Sequence, residues 1–212
     1  MHVTLIENLA DVSCRQNMRL RKDKLFMANN MLRKIIRDFI DDKKEGPILE
    51  IGPLTTPFLS KDTYNVHYAD IRDKDEIYNA YNLSYKGSGE ELYNKIVPID
   101  FVIKNTYLNA VGEMKFLIVF SSHVIEHTHD LLGHLLDIGD ILLENGYFVM
   151  LIPDKKNTFD RNREVTPFRD VLDVYLSINK LQCTARFGFD FLFTASFKGN
   201  PISEKSKGII KH

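Results

Sequence analysis

Lys115–Pro153 reads KFLIVFSSHVIEHTHDLLGHLLDIGDILLENGYFVMLIP. It opens with an apolar run, Lys115 to Phe120, bounded by Ser121-Ser122-His123. The run is short and rich in branched and aromatic residues, so it reads as a buried strand. Leu132, Leu135, Leu136, Ile138, Ile141, Leu142 and Leu143 then recur at helical spacing over Leu131–Leu143, which predicts an amphipathic helix. Glu144-Asn145-Gly146 ends it, with Gly146 placed for a left-handed C-terminal cap. Tyr147–Ile152 is the next apolar run, stopped by Pro153. A strand, a helix and a strand in succession, with both strands apolar along their length, indicates a parallel sheet buried on both faces.

The same alternation extends toward the N-terminus. Gly46-Pro47 is a breaker, and Ile48-Leu49-Glu50-Ile51 behind it is a short buried strand ended by Gly52-Pro53. A second strand is expected at Asn65–Asp70, with Val66, Tyr68 and Ile71 apolar or aromatic, and a third at Ile99–Ile103. Residues 73–95 are polar, with Gly87-Ser88-Gly89 as a flexible break. Residues 16–42 read as a helix, because Leu25, Ala28, Leu32, Ile35, Ile36 and Phe39 recur at three- and four-residue steps. Its Arg15, Arg19, Arg21, Lys22 and Lys24 are offset by Asp23, Asp38, Asp41 and Asp42, the pattern of a solvated face. Gly188–Phe197 offers one or two further strands, and Ser203–His212 is a polar tail. The domain reading is a helical lead-in over 1–45, an α/β domain over 46–200 and a tail over 201–212.

Composition removes several function classes. A formal net charge of -1 and a pI of about 6.7 give no electrostatic case for nucleic acid or anionic membrane. No aromatic–basic interleaving suggests RNA binding. Cys14 and Cys183 lie in no CxxC and read as reduced thiols. The N-terminus is acidic where a secretion signal is basic, and no segment reaches the roughly 20 apolar residues of a membrane span, so a cytoplasmic protein is expected. His123-Val124-Ile125-Glu126-His127 fits H-x-x-E-H, an inverted zinc-protease signature. No third ligand stands out, and the motif directly follows a strong strand, so no metal is expected.

Ligands of parallel α/β sheets bind at the carboxyl ends of the strands, near the switch in strand order. That rule selects Glu50–Gly52, Asp70, Asp100 and Ser121–His123. In this order, over roughly residues 46 to 170, these segments resemble the class I S-adenosylmethionine-dependent methyltransferases. Ile48–Pro53 resembles their first motif, an apolar strand ending in acid-x-Gly. Asp70, roughly twenty residues on, matches the acid that accepts hydrogen bonds from the ribose hydroxyls. Asp100-Phe101 matches the position beside the adenine. Phe116–Phe120 with SSHVIEH resembles the fourth motif, and ILLENGYFVMLIPD the helix and strand after it.

The resemblance implies a Rossmann-like, mostly parallel sheet with helices on both faces and a shortened C-terminal hairpin. It implies S-adenosylmethionine as cofactor, held by Glu50, Ile51, Gly52, Pro53, Asp70, Ile71, Asp100, Phe101, Ser121 and Ser122. His123, Glu126 and His127 are the candidate catalytic bases for an acceptor hydroxyl. A network holding Glu50, or the methionyl amino group itself, would satisfy a buried acid there. His129, His134 and His67 read as surface or packing residues. SSHVIEHTHD followed by LIPDKKNTFDRNREVTPFRDVLDVY is similar to methyltransferase-domain proteins found with bacterial glycosyltransferases. This implies a saccharide acceptor, a possible glycosyltransferase partner and a role in surface-polysaccharide synthesis. Asp154, Asp160 and Arg161 belong to this segment and are candidates to face the acceptor.

Two departures keep a second reading open. The first motif has one glycine, and Pro53 offers no N–H, so the loop must hold a cofactor differently. Little chain follows Pro153 for a closing hairpin. The alternative is a non-catalytic methyltransferase-fold protein that binds or scaffolds a glycosyltransferase. A nicotinamide-dependent enzyme is disfavoured, because no G-x-G-x-x-G follows the first strand.

Overall fold

The computed structural model describes residues 2–7, 18–158, 161–177, 196–197 and 200–201. The chain forms two compact units, one of residues 1–125 with 136–152, the other of 126–135 with 153–212. The first holds an all-parallel, six-stranded sheet. Its strands are β1 (His2–Glu7), β2 (Ile48–Ile51), β3 (Val66–Asp70), β4 (Phe101–Val102), β5 (Phe116–Ser122) and β6 (Leu142–Ile152), in the order β1-β6-β5-β2-β3-β4. From β2 the chain builds outward to β3 and β4, then returns to β5 and β6 on the other side. The switch in strand order therefore lies between β2 and β5. This is the Rossmann-like α/β fold that the sequence predicts.

Register explains the composition of the strands. Ile48, Val66, Ile118 and Tyr147 align across the sheet, as do Glu50, Tyr68, Phe120 and Val149 two residues on. Side chains two apart share a face, and on this one Ile36 and Ile40 of helix α1 (Met18–Asp41) join Ile48, Phe58, Leu59, Val66, Tyr68, Ile118, Phe120 and Val149 in one core. The alternate residues Leu49, Ala69, Val119, Phe148 and Met150 are buried too, as are Tyr107 and Val111 of α4 (Tyr107–Val111) and Ile138 and Ile141 of α5 (Leu131–Ile141). Cover on both faces is why these strands are continuously apolar.

Several local readings change. Residues 73–95, polar in sequence with a break at Gly87-Ser88-Gly89, carry α2 (Lys74–Tyr81) and α3 (Gly89–Lys95). Asp73 and Glu76 form a reciprocal capping box, and Ser88 caps α3 by accepting from the Glu91 amide. D-x-x-E and S-x-x-E are the start signals that went unread. Because α2 has only eight residues, its cap matters. Asp73→Ala is expected to cost about 1 kcal/mol, read by urea denaturation.

The helix expected to Leu143 ends at Ile141, β6 already begins at Leu142, and within that strand Asn145, not Gly146, takes the left-handed region, at φ 62°. Gly146 is needed for another reason: a Cβ there would sit 2.9 Å from the Leu143 carbonyl oxygen. The 1–45 segment contains a strand as well as a helix, because β1 pairs in parallel with β6 from His2↔Tyr147 to Glu7↔Ile152. No helix lies between β2 and β3; residues 52–65 cross over as turns.

In the second unit, α6 (Phe168–Leu176) is described, together with an antiparallel pair, β7 (Ser196–Phe197) and β8 (Asn200–Pro201). That pair forms a separate two-stranded sheet. The rest of the expected strand at 188–197, both cysteines and the 203–212 tail lie outside the described residues.

Candidate functional site

The site is built where β2, β3 and β5 end. Glu50 is the last inward residue of β2 on the α1 face and is 3% exposed. One carboxylate oxygen accepts from the Phe58 amide at 2.7 Å and the other from the Leu59 amide at 2.9 Å. The Leu59 carbonyl accepts from the Tyr68 hydroxyl at 2.6 Å. Phe58 packs its ring on Phe120, with centroids 4.7 Å apart. Glu50 thus fastens the far end of loop 52–59 back onto the strand that launches it. Burial pushes its carboxyl up to about 7, against the pull of the two amides. The sequence anticipates a buried acid with a partner here; the partner is this loop's own backbone.

The near end of the loop is fixed by backbone conformation. The Gly52 amide donates to the Ala69 carbonyl at 2.8 Å, and Gly52 has φ 70°. A Cβ there would meet Cγ2 of Val124 at 3.0 Å. Gly52→Ala is therefore expected to destabilise by about 1–2 kcal/mol, visible as a lower urea midpoint. Leu54 also has positive φ, 48°, a conformation costly for a non-glycine residue. It is held there because its side chain packs on the buried cluster Ile77, Leu92 and Ile96, and its carbonyl accepts from Val97 at 3.1 Å. Pro53, buried between them, needs no amide partner.

On β5, Ser121 is buried and aligned with Ile51, and Ser122 follows at half burial. His123 comes next, exposed, with φ 57°, its amide donating to Leu151 at 3.0 Å. Gly52, Leu54 and His123 place three left-handed residues just past β2 and β5, the two strands that flank the switch in strand order. Strain of about 1–3 kcal/mol per non-glycine residue gathers at functional sites more than elsewhere.

Asp70 closes β3 and is buried. Its carboxylate accepts from the Arg72 amide at 3.1 Å. Burial raises its pKa, while the Arg72 and Ile71 amides and the Arg72 charge oppose the rise. Beside this buried acid, Ile71 is 61% exposed.

Asp100 stands differently from its expected place at a strand's carboxyl end. It precedes β4, and its oxygens accept from Lys61 Nζ at 2.7 and 2.6 Å, and one also from the Tyr68 amide at 2.7 Å. It braces β3, and Phe101 meets His67 at a tilt and Phe116 edge-on within the sheet's aromatic packing. Because β4 is only two residues long, its carboxyl end is Ile103-Lys104. The Ile103 amide donates to the Asp70 carbonyl at 2.8 Å, and Lys104 Nζ reaches the Ile71 carbonyl at 3.4 Å and the Glu76 carboxylate at 2.8 Å. Sequence reasoning missed Leu54, Ile103 and Lys104, and no motif marks them. It also missed Tyr107, whose hydroxyl is kept protonated by burial and by the charges of Asp137 and Asp70.

Glu126 and His127, both exposed, lie on a 3-10 turn, Ile125–His127, and belong to the second unit, whereas His123 belongs to the first. His123 through His127 is therefore no continuous α-helical turn, the form H-x-x-E-H needs to aim both histidines at one ion. Among the described residues, no group of three or more His, Cys, Asp or Glu is placed to hold a metal. In the second unit, Lys155 donates to the Arg161 carbonyl at 3.0 Å and to that of Arg163, closing the loop after Asp154. Asp160 lies outside the described residues. No helix among the described residues is long and apolar enough to cross a membrane.

No protein-family model matches the chain, and no curated protein matches it. Among solved structures it is similar to one described as the crystal structure of DszA carbon methyltransferase, at 20% identity and a TM-score of 0.39. That match covers 60% of this chain and 35% of the other, so the chain spans about a third of that protein's length.

Proposed function

We propose that this protein binds S-adenosylmethionine at the carboxyl ends of β2, β3 and β5 and transfers its methyl group to an acceptor hydroxyl. One observation carries the reading. A buried carboxylate, Asp70, ends β3 directly beside the Gly52 turn of β2, next to the switch in strand order, the place where such sheets bind nucleosides. The residues fit the cofactor's adenosyl part. Asp70 would accept from the ribose hydroxyls, Ile71 would lie against the adenine, and Gly52, bare of a Cβ, would let the chain come close. Ser121 and Ser122 lie at the adjacent strand end.

The bound cofactor supplies an electrophilic methyl group. What the chain adds is alignment, and a proton acceptor where the acceptor is a hydroxyl. His123 is the nearest candidate in sequence to this strand end and is held by its left-handed backbone. Glu126 and His127 remain candidates of the second unit. A saccharide acceptor, a glycosyltransferase partner in surface-polysaccharide synthesis and a cytoplasmic location belong to the same proposal. They rest on the resemblance of SSHVIEHTHD and LIPDKKNTFDRNREVTPFRDVLDVY.

A second reading, a methyltransferase-fold protein that binds without transfer, is favoured by the single-glycine first motif, where Pro53 offers no N–H. The Phe58 and Leu59 amides already satisfy the buried Glu50, so no ligand is needed to hold it there. The two readings part in an assay for S-adenosylhomocysteine release with nucleotide-sugar and oligosaccharide acceptors. Acceptor-dependent release that drops at least tenfold in His123→Ala supports transfer by this site. Tight cofactor binding with no release on any acceptor supports the binding protein.

A further inference from the structure

Helix α1 presents two guanidinium groups on one side, four residues apart. Arg33 and Arg37 are both exposed, and both lie over the same ring, with their Cζ atoms 5.6 and 5.2 Å from the centroid of Phe58. Like charges at this spacing destabilise a helix slightly, so a neutralising partner is expected close by. The structure gives the nearby acids other partners. Asp38 pairs with Lys34 at 2.7 Å, and Asp41 accepts from the Tyr64 hydroxyl at 2.7 Å. Among the described residues neither arginine has a carboxylate at ion-pair distance. The ring that both cover is itself fixed, by the Glu50 bond to its amide and by Phe120 beneath it.

We infer that Arg33 and Arg37 form a binding subsite for a phosphoryl group. Two planar guanidinium groups, each held within about 6 Å of the same rigid ring, offer N–H donors to one anion. A dianionic phosphoryl group neutralises both charges, which a single carboxylate does not. The subsite borders loop 52–59 and takes its anion from the solvent side of α1. A phosphorylated ligand and free phosphate share this chemistry. The inference stands apart from the cofactor proposal and neither needs the other.

The test is a chemical-shift titration of the folded, full chain with inorganic phosphate, reading the Nε–Hε signals of Arg33 and Arg37. Acetate is the carboxylate comparison and glucose 6-phosphate the ligand-borne source. Saturable shifts are expected with both phosphates, and at least fivefold weaker ones with acetate. Arg33→Gln and Arg37→Gln should each weaken phosphate about tenfold, with Arg37→Lys between, because charge remains while the fork is lost. Lys44→Gln, which removes the same charge from an exposed position on the turn after α1, should change nothing. Equal weakening by Lys44→Gln, equal binding of acetate, or no saturable shift in wild type would each overturn the inference. A circular-dichroism melt shows that the variants are folded.

Discussion

Glu50→Gln is expected to destabilise the protein by about 2 kcal/mol near pH 5 and to cost nothing near pH 8. Glutamine keeps one acceptor oxygen, so one of the Phe58 and Leu59 amides loses its partner in a buried site, at about 1–3 kcal/mol. The pH dependence comes from the wild type. Burial holds its carboxyl at about 7, against an ordinary 4.5. The native state thus keeps a proton that the unfolded chain gives up earlier. This contribution is complete below pH 4.5 and is lost as pH rises through about 7, by on the order of 3 kcal/mol. Glutamine has no such proton and adds no slope. The half-buried His134, its pKa lowered by desolvation against the pull of Asp130, acts in the opposite sense. Subtracting the variant's urea curves from the wild type's removes that common term. A wild-type advantage that grows with pH would mean that Glu50 is ionised in the fold and would contradict this account of the loop.

Asp70→Ala is expected to weaken S-adenosylhomocysteine binding at least tenfold, about 1.4 kcal/mol, with little change in stability. Each hydrogen bond from a ribose hydroxyl to a carboxylate contributes about 1.5–3 kcal/mol, so a hundredfold loss is within range. Ribose hydroxyls donate best to the ionised acid, whose pKa burial raises. Affinity should therefore fall as pH drops toward that raised value. Asp70→Asn should bind more weakly than wild type but without this pH dependence. Asp100→Ala is the contrast, because Asp100 is engaged by Lys61 and the Tyr68 amide on β3. It should lower stability and leave affinity nearly unchanged. The reverse pattern would return the adenosyl contact to Asp100.

The sheet was legible because its strands are apolar on both faces and bounded by Gly46-Pro47, Gly52-Pro53 and Pro153, signals set locally. The same alternation put Gly52, Asp70 and Ser121–His123 at or just past the carboxyl ends of strands, where the structure has them. What escaped depends on longer-range contacts. The two residues of β4 gave too short a pattern to fix its ends, so Asp100 was placed at the wrong end of the strand. Leu54 takes a left-handed backbone through packing on α2 and α3, which its own residue type argues against. The role of Glu50 needed the return of Phe58 and Leu59 through a turn with no helix, where the alternating pattern predicts one. Both α2 and α3 were hidden by their polar faces, although their caps were written in the sequence. β1 was missed because a helical reading of the lead-in left no place for a strand that pairs with β6, far along the chain.

The most direct measurement is isothermal titration of the folded wild-type chain with S-adenosylhomocysteine. The account predicts one site with a micromolar Kd, and S-adenosylmethionine binding at the same stoichiometry. Absence of binding by a chain shown to be folded would contradict it, and the carboxyl-end site would then need a different ligand.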